Sequence, residues 1–525
     1  MALSQAAAPS RAPRFDGAHA AAFVAAAICA APAVAVFVFA ALPGGDAALG
    51  GDLLRDGMLG TLGLMLVGGG AALALGAAAA WLVSLCAFAG RGLFEWLLVL
   101  PLAAPSYVLA YAYSSVTWAG TGAPFPVTGF WGAAFIYAVG LYPYVYLAAR
   151  AAFTSQSSCT LEAARTLGAK PSAVFARVAA PLARPAIAAG GALALMEIAA
   201  DYGAVQHFGV TTLATAVFRA WYSHGAPHLA MQISALLLAG ALILLFAERW
   251  ARGRAAFASG SARWRTLPRY QLGPIASLAA AAFCALLLLF GAILPLGWLA
   301  RLAMLHPPAA DLWRPLGNSL ALASIGAIVT LVLAILIAAA ARRSGGFGKG
   351  VLFAAGVGYA APGAVIALGA LSLFGTAREL GWVGGVGGAL ALSTLLWAYA
   401  ARFAAAGVQP LDAGLSRLSR GVDASARTLG AQPFRRLLRI DLPIAAPSAA
   451  AAALILFVEI LKELPATLIL RPFDFDTLAV KAYSYAADER LLQAAAPSLL
   501  IFLAGLAPML IISAGIARGR AGYRA

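Results

Sequence analysis

Charged residues are scarce in this sequence, and their scarcity excludes an ordinary water-soluble fold. Only 11% of the 525 residues are Asp, Glu, Lys or Arg, whereas soluble domains carry about 25%. Apolar residues make up 62% of the chain. Apolar runs recur along it, and a run of about 20 residues is long enough for a helix to cross a bilayer. The composition therefore predicts an all-α polytopic membrane protein.

Cysteine is also scarce, and its spacing matches neither a disulfide framework nor a metal-binding motif. The four cysteines are Cys29, Cys86, Cys159 and Cys284. His207, His224 and His228 lie near a predicted outer loop. A metal-entry site and ordinary loop histidines both remain open there, so we predict no defined metal site.

The sequence lacks a nucleotide-binding motif and a catalytic constellation. Its nearest approach to a phosphate-binding loop is GGFGKG at residues 345–350. That segment lacks the GxxxxGK[ST] spacing and the preceding strand that cradle a phosphate. No arrangement of nucleophile and base favours a membrane enzyme. We therefore predict that the chain is not an enzyme, and that any ATP hydrolysis belongs to a separate partner.

Basic residues, by contrast, outnumber acidic ones, and their placement indicates the topology. Most of the 36 Lys and Arg residues fall in two loops at 150–185 and 402–444, a tract at 248–270 and the two tails. One orientation places all of these segments in the cytoplasm, as the positive-inside rule requires. The net charge of +16 therefore reflects topology and not nucleic-acid binding, and both termini are predicted to be cytoplasmic.

Twelve apolar segments predict about twelve transmembrane helices, six in each half of the chain. An even number of spans per half makes the halves parallel repeats, with a pathway expected at their interface. The predicted spans lie near residues 21–42, 59–89, 93–116, 129–149, 186–206, 229–247, 273–300, 316–341, 350–374, 383–401, 445–470 and 492–516. The predicted divisions are a cytoplasmic tail at 1–20, a first half at 21–247, a basic linker at 248–270, a second half at 271–516 and a C-terminal tail at 517–525.

One short basic segment occurs twice, and the two copies align without a gap. The first copy is LEAARTLGAKPSAVFARVAAP at residues 161–181, and the second is VDASARTLGAQPFRRLLRIDLP at residues 422–443. A glycine in left-handed geometry closes a short helix, and the proline three residues later can open the next one. A basic amphipathic loop lying on lipid headgroups is the alternative.

The spacing within these segments resembles the EAA loop of ABC-importer permeases. The resemblance implies a permease in the bacterial inner membrane, whose loops dock on two copies of an ABC ATPase that holds ATP and Mg. It also implies a periplasmic substrate-binding protein. The matching residues, expected to couple the permease to the ATPase, are Glu162, Ala163, Ala164, Gly168 and Pro181 in the first loop and Ala424, Ala426, Gly430 and Pro443 in the second.

The second loop departs from the family pattern at one position. Ala424 stands where the first loop has Glu162, and Asp423 precedes it. Either Asp423 substitutes for the missing carboxylate, or the first loop makes the stronger contact. Both readings remain open.

The stretch from Phe457, FVEILKELPATLILRPFDFDTLAVKAYSYAADERLLQAA, resembles the ferric iron branch of these permeases. The resemblance implies that ferric iron is the substrate. Thiamine, a phosphonate or another small solute is the alternative within the class. A proton-coupled secondary transporter is the alternative outside it.

Four acids in apolar segments are candidate residues of the substrate pathway. Glu197 and Asp201 are four residues apart on one predicted helix face, and Glu459 and Glu463 occupy the aligned positions. Ionisable groups at membrane depth are costly and usually face a cavity, and carboxylate oxygens suit a hard cation. As the alternative, these acids cap broken helices, or Lys462 neutralises Glu463.

Overall fold

The computed structural model describes residues 17–44, 47–118, 127–156, 166, 171–258, 269–306, 310–342, 346–382, 384, 387–416, 425–426, 428–430 and 432–518. Within these residues the protein is all-α apart from one short parallel pair, in which β1 (Cys86–Ala87) pairs with β2 (Tyr270–Gln271). The predicted all-α membrane fold is therefore confirmed.

The first half contains eleven of the described α-helices, some of them continuous with one another through π-helical or 3₁₀ turns. They are α1 (Gly17–Ala41), α2 (Ala47–Leu64), α3 (Gly70–Leu85), α4 (Arg91–Leu97), α5 (Ser106–Trp118), α6 (Gly129–Ser155), α7 (Pro171–Val174), α8 (Ala180–Ala200), α9 (Gly203–His207), α10 (Leu213–Phe218) and α11 (Pro227–Ala258). The intervening turns are the π-helical segments Met65–Gly69, Phe175–Ala179 and Arg219–Ser223 and the 3₁₀ segment Leu100–Ala103.

The second half also contains eleven of the described α-helices. Its helices in the described part are α12 (Pro274–Leu288), α13 (Leu294–Leu305), α14 (Trp313–Ala341), α15 (Gly346–Ala360), α16 (Gly363–Glu379), α17 (Gly388–Leu415), α18 (Pro433–Arg436), α19 (Leu442–Leu461), α20 (Pro465–Leu470), α21 (Leu478–Ala487) and α22 (Leu491–Arg518). The intervening turns are the π-helical segments Leu289–Ile293 and Leu437–Asp441 and the 3₁₀ segment Ala310–Leu312.

Nine helical segments in the described residues are long and apolar enough to cross a membrane, and two bent helix pairs raise that number to as many as 11. The last of the twelve predicted segments corresponds to α22, of which residues 491–506 count as a shorter apolar helix. Every predicted span therefore coincides with a helix or a helix pair, although the boundaries move by several residues.

The predicted spans at 93–116 and 350–374 are sharply bent pairs of helices. The first is a pair of segments, Arg91–Ala103 and Ser106–Val116, bent by 91°, and the second, Gly350–Ala360 and Gly363–Glu379, is bent by 108°. Pro105 and Pro362 stand at the breaks. A proline lacks the amide hydrogen that a helix needs and also restricts the residue before it, so both helices end there.

The π-helical turns Phe175–Ala179 and Leu437–Asp441 occupy aligned positions in the two repeats. Pro181 and Pro443 follow two residues later, and each lacks an amide hydrogen for the carbonyl four residues earlier. The unmet carbonyl accounts for the local widening of the helix. Both predicted loop prolines therefore lie at the start of α8 and α19, which lead from the two repeated loops to the predicted pathway acids.

The first predicted span of each half packs against the other half. Trp397 of α17 donates its indole N–H to the Ile28 carbonyl of α1 at 2.9 Å. In the same manner Trp298 of α13 donates to the Ser115 hydroxyl of α5 at 3.0 Å. Tyr113 also donates to the Phe290 carbonyl at 2.5 Å. These exchanged contacts join the halves around a shared core.

Candidate functional site

A cavity lies where the two halves meet, and all four predicted pathway acids line it. It leaves about 90 Å³ in which the centre of a water molecule can lie, which is room for several waters. First-half walls come from the α4–α5 break, α6 and the end of α8, and second-half walls from α17 and the end of α19. The polar lining consists of Ser106, Tyr107, Tyr137, Tyr144, Glu197, Asp201, Arg402, Glu459, Lys462 and Glu463.

Asp201 does not lie on the helix that carries Glu197, contrary to the predicted shared face. Helix α8 ends at Ala200, and Asp201 has extended backbone angles of φ −72° and ψ 134°. Its carboxylate accepts hydrogen bonds from the amides of Ala204 and Val205 at 3.1 and 3.4 Å. Asp201 therefore caps the N-terminus of α9, where four amides begin a helix without partners.

Glu463 performs the same task in the second half. Helix α19 ends at Leu461, and Glu463 accepts a hydrogen bond from the Ala466 amide of α20 at 3.0 Å. The helix-capping alternative is thus confirmed for Asp201 and Glu463. The two predicted spans at 186–206 and 445–470 each break at these acids.

The partners of the two capping acids differ in charge. Asp201 accepts hydrogen bonds from the hydroxyls of Ser106 at 2.5 Å and Tyr137 at 2.8 Å. Glu463 instead pairs with Arg402, whose Nε lies 3.4 Å from Oε2. Neutral hydroxyls hold one carboxylate and a guanidinium holds the other.

Glu197 and Glu459 lie on their helices, one turn before these caps. The Glu197 carboxylate accepts a hydrogen bond from the Tyr144 hydroxyl at 3.4 Å. Glu459 pairs with Lys462, with 2.8 Å between Oε1 and Nζ. The expected alternative that Lys462 neutralises Glu463 is therefore wrong, because Lys462 turns back to Glu459 and Arg402 takes the place beside Glu463.

The cavity therefore brings four acidic side chains together with two basic ones, so acidic groups outnumber basic groups there. Carboxylate and phenol oxygens are hard ligands, which favour a hard cation over a soft one. Two of the acids are held by backbone amides and are fixed, whereas Glu197 and Glu459 have side-chain partners alone among the hydrogen bonds described for them. The arrangement can therefore receive a cation without breaking a helix cap.

Arg402 is a residue of the cavity that the sequence analysis did not predict there. It was counted with the basic cytoplasmic loop at 402–444, but α17 extends to Leu415 and carries Arg402 to the cavity wall. A signal was present, since an arginine flanked by apolar residues in a helix is costly unless it has an acidic partner. The tyrosines gave no such signal.

The coupling motif is described only in part. Glu162, Ala163, Ala164, Gly168 and Ala424 lie outside the described residues. In the second loop Ala426 is buried, and Gly430 has a φ of +73°, the left-handed geometry expected of the helix-closing glycine. Pro181 and Pro443 lie in the first turns of α8 and α19.

Among the described residues, His207, His224 and His228, near the predicted outer loop of the first half, do not form a metal-binding cluster. His207 hydrogen-bonds to the Ser114 hydroxyl at 2.9 Å, and His228 to the Leu42 carbonyl at 2.6 Å. Within the part of the chain that the structure describes, no group of three or more His, Cys, Asp or Glu could hold a metal ion. The metal-entry alternative therefore finds no support there.

Comparison with known proteins places this arrangement in a family. Residues 70–252 match the family described as the binding-protein-dependent transport system inner membrane component. The molybdenum transport system permease protein ModB of Escherichia coli is 30% identical over 190 residues, which are 33% of this chain and 81% of ModB. This chain belongs to that family. The permease is thus the membrane component of a binding-protein-dependent ABC importer, and the secondary-transporter alternative is set aside.

A second relative of the permease matches along most of the chain. An Fe(3+)-transport system permease protein of Haemophilus influenzae is 26% identical over 452 residues. The alignment covers 84% of this permease and 86% of the relative, so it includes both halves. The fused two-half architecture predicted from the repeated loops is therefore confirmed.

Proposed function

We propose that this permease imports ferric iron, delivered by a periplasmic substrate-binding protein and driven by two copies of an ATPase subunit that binds ATP and Mg. The observation that supports this most is the 452-residue similarity to a protein named for Fe(3+) transport. An alignment of that extent includes residues of both halves of the chain.

The charge of the cavity supports the same substrate. Ferric iron is a hard cation that prefers oxygen ligands, and the cavity offers four carboxylates and three tyrosine hydroxyls. Molybdenum is the second candidate, because the other relative is named for its transport. Molybdenum in oxygenated water is the molybdate anion, and an excess of carboxylates repels an anion.

The coupling loops complete the proposed mechanism. Both loops and both termini face the cytoplasm, and the motif residues from Glu162 to Pro181 and from Ala424 to Pro443 contact the two ATPases. Binding and hydrolysis of ATP then move the two halves between outward-open and inward-open states. Helices α8 and α19 connect each loop directly to a cavity acid, which supports a mechanical link between the ATPase and the pathway.

Uptake of radiolabelled ferric iron tests the proposal. The permease is expressed with its ATPase and binding protein in a strain that lacks its own ferric iron importer. We expect uptake that excess unlabelled molybdate does not reduce. We also expect Glu197→Gln to reduce uptake and Glu379→Gln, at the exposed end of α16, to leave it unchanged. Uptake of labelled molybdate instead of iron would contradict the assignment.

A further inference from the structure

The two halves of the cavity carry different charges at aligned positions. The gapless repeat pairs Glu197 with Glu459 and Asp201 with Glu463. The cations that neutralise the second-half acids have no first-half counterpart, because Lys462 aligns with Ala200 and Arg402 aligns with Gly140. Ala200 and Gly140 also line the cavity. The symmetry of the fold is therefore broken by two cations on one side.

Lys462 is placed at the boundary between the halves. It is the C-cap residue directly after α19, and its carbonyl accepts a hydrogen bond from the Tyr107 hydroxyl of the first half at 3.2 Å. Its side chain turns back one helical turn, so that the ammonium lies 2.8 Å from Glu459. Glu197 of the first half lines the same cavity, so the ammonium shares this cavity with carboxylates of both halves.

Glu197 faces the same cavity without a cation of its own. Its hydrogen-bond partner is the Tyr144 hydroxyl, and among the described residues no Lys or Arg lies within ion-pair distance of it. An ionised carboxylate at membrane depth is stabilised by a nearby positive charge. Lys462 lies on the second-half wall of the same cavity.

This inference rests on the proposed function. We propose that Lys462 is a built-in cation. Its ammonium group occupies the carboxylate site formed by Glu197 and Glu459 and moves away when the transported cation arrives. The lysine has a flexible four-carbon stem and a single point charge, so it can move aside. A trivalent ion is attracted more strongly by two carboxylates than a monovalent ammonium is. Arg402 stays in place, because its partner Glu463 is fixed by the α20 cap.

A lysine that enters and leaves the site in this way would meet two requirements of a transport site. A tethered ammonium has a high effective concentration, so monovalent cations from solution do not displace it. It also competes with the bound trivalent ion and favours its release. A site of bare carboxylates would hold the ion too tightly to pass it on.

Equilibrium binding of ferric iron to the purified permease, with the metal supplied as its nitrilotriacetate chelate, tests the proposal. We expect Lys462→Met to bind iron about tenfold more tightly or better than the wild type, because one positive charge a few ångströms away is removed. Lys462→Arg keeps the charge and should bind as the wild type does. Adding Glu459→Gln to Lys462→Met should remove the gain.

Lys481 provides the matched control. It forms a comparable ion pair with Asp311, at 2.6 Å, outside the cavity. Lys481→Met therefore breaks a lysine–carboxylate pair without changing the site, and its iron binding should equal that of the wild type. A gain in this variant as large as that of Lys462→Met would overturn the proposal.

The proposal also fails if Lys462→Met is monodisperse and binds iron no more tightly than the wild type, since Lys462 would then be only a structural ion pair. If Lys462→Met does not fold, Lys462→Gln removes the same charge, keeps a hydrogen-bond donor for Glu459 and gives the same comparison. The assay needs neither ATPase nor uptake. Absence of iron uptake in cells would refute the substrate, whereas absence of the binding gain would refute the built-in cation.

Discussion

At Asp201 four donors converge on one carboxylate, two hydroxyls and two backbone amides. At Glu197, four residues earlier, the hydrogen bond described is a single 3.4 Å contact with Tyr144. Loss of a buried partner leaves its donors unsatisfied. The two neighbouring acids therefore differ in their surroundings: Asp201 holds α9, and Glu197 is the acid proposed to take part in the substrate pathway.

Substitution should separate these tasks. Asp201→Ala removes the cap of α9 and leaves buried donors without an acceptor, so we expect it to lower the free energy of unfolding by about 1–3 kcal/mol. Asp201→Asn keeps one carbonyl oxygen and should lose less. Glu197→Gln should leave the melting temperature in detergent close to that of the wild type. A melting temperature unchanged by Asp201→Ala would show that the cap contributes nothing.

Sequence reasoning found the four acids but not their surroundings. A charged residue within an apolar run can be recognised from the sequence alone, so the four acids Glu197, Asp201, Glu459 and Glu463 could be predicted. The helix ends at Ala200 and Leu461 depend on side chains that cap the next helix. Arg402 joins Glu463 only through packing of α17 against α19, which spacing alone does not give.

Among the elements, the described end of the second coupling loop rests on one glycine. Gly430 has φ +73°, a conformation that costs an L-residue about 1–2 kcal/mol. Gly381, just after α16, has φ +72°, and an added Cβ would meet no atom within 4 Å at either position. Both glycines therefore adopt the same left-handed backbone conformation, at different places in the fold.

We expect Gly430→Ala and Gly381→Ala to lower stability by similar amounts, but only Gly430→Ala to reduce ATP hydrolysis stimulated by the binding protein. The physical reason is that strain at Gly430 displaces the loop proposed to contact the ATPase. ATPase assays on the reconstituted complex provide the measurement. Equal losses of stimulated hydrolysis in both variants would indicate a general stability effect and would contradict the coupling role.

Helix positions followed from apolar runs, whereas helix breaks did not. The predicted spans at 93–116 and 350–374 are bent pairs, because an average over about 20 residues does not register one proline. Pro105 and Pro362 were nevertheless visible in the sequence as helix breakers. The π-helical turns before Pro181 and Pro443 are a finer consequence of the same missing amide hydrogen.

On the scale of the whole molecule, the two halves are joined because the first predicted span of each half packs against the other half. Gly369 of α16 lies against the Pro32 carbonyl of α1, and a Cβ on Gly369 would overlap that oxygen. Gly375 lies six residues further along the same helix, where a Cβ would meet no atom within 4 Å. The exchange therefore depends on close backbone contact at one position.

Gly369→Ala should destabilise the permease by about 1–3 kcal/mol, since overpacking forces the backbones apart. Gly375→Ala should be neutral or slightly stabilising, because alanine favours a helix by about 1 kcal/mol relative to glycine. Thermal unfolding in detergent measures both. Equal melting temperatures for the two variants would contradict the close packing of α1 against α16.

The pseudosymmetry of the molecule was predictable, but the exchange of first helices was not. Two gapless loop copies indicated two parallel repeats and a site between them. The sequence does not show which half a first span contacts, since both faces of α1 are apolar. That choice is made by packing, through small contacts such as Trp397 with Ile28 and Trp298 with Ser115.

The central claim is that ferric iron crosses the membrane through the acidic cavity between the halves. ATP-driven uptake of ferric iron into proteoliposomes that contain the permease, its ATPase and its binding protein tests this most directly. The account predicts that Glu197→Gln lowers uptake by about tenfold or more, the loss expected when a nearby charge is removed, while stimulated ATP hydrolysis continues. Wild-type uptake by Glu197→Gln would place the pathway elsewhere and contradict the account.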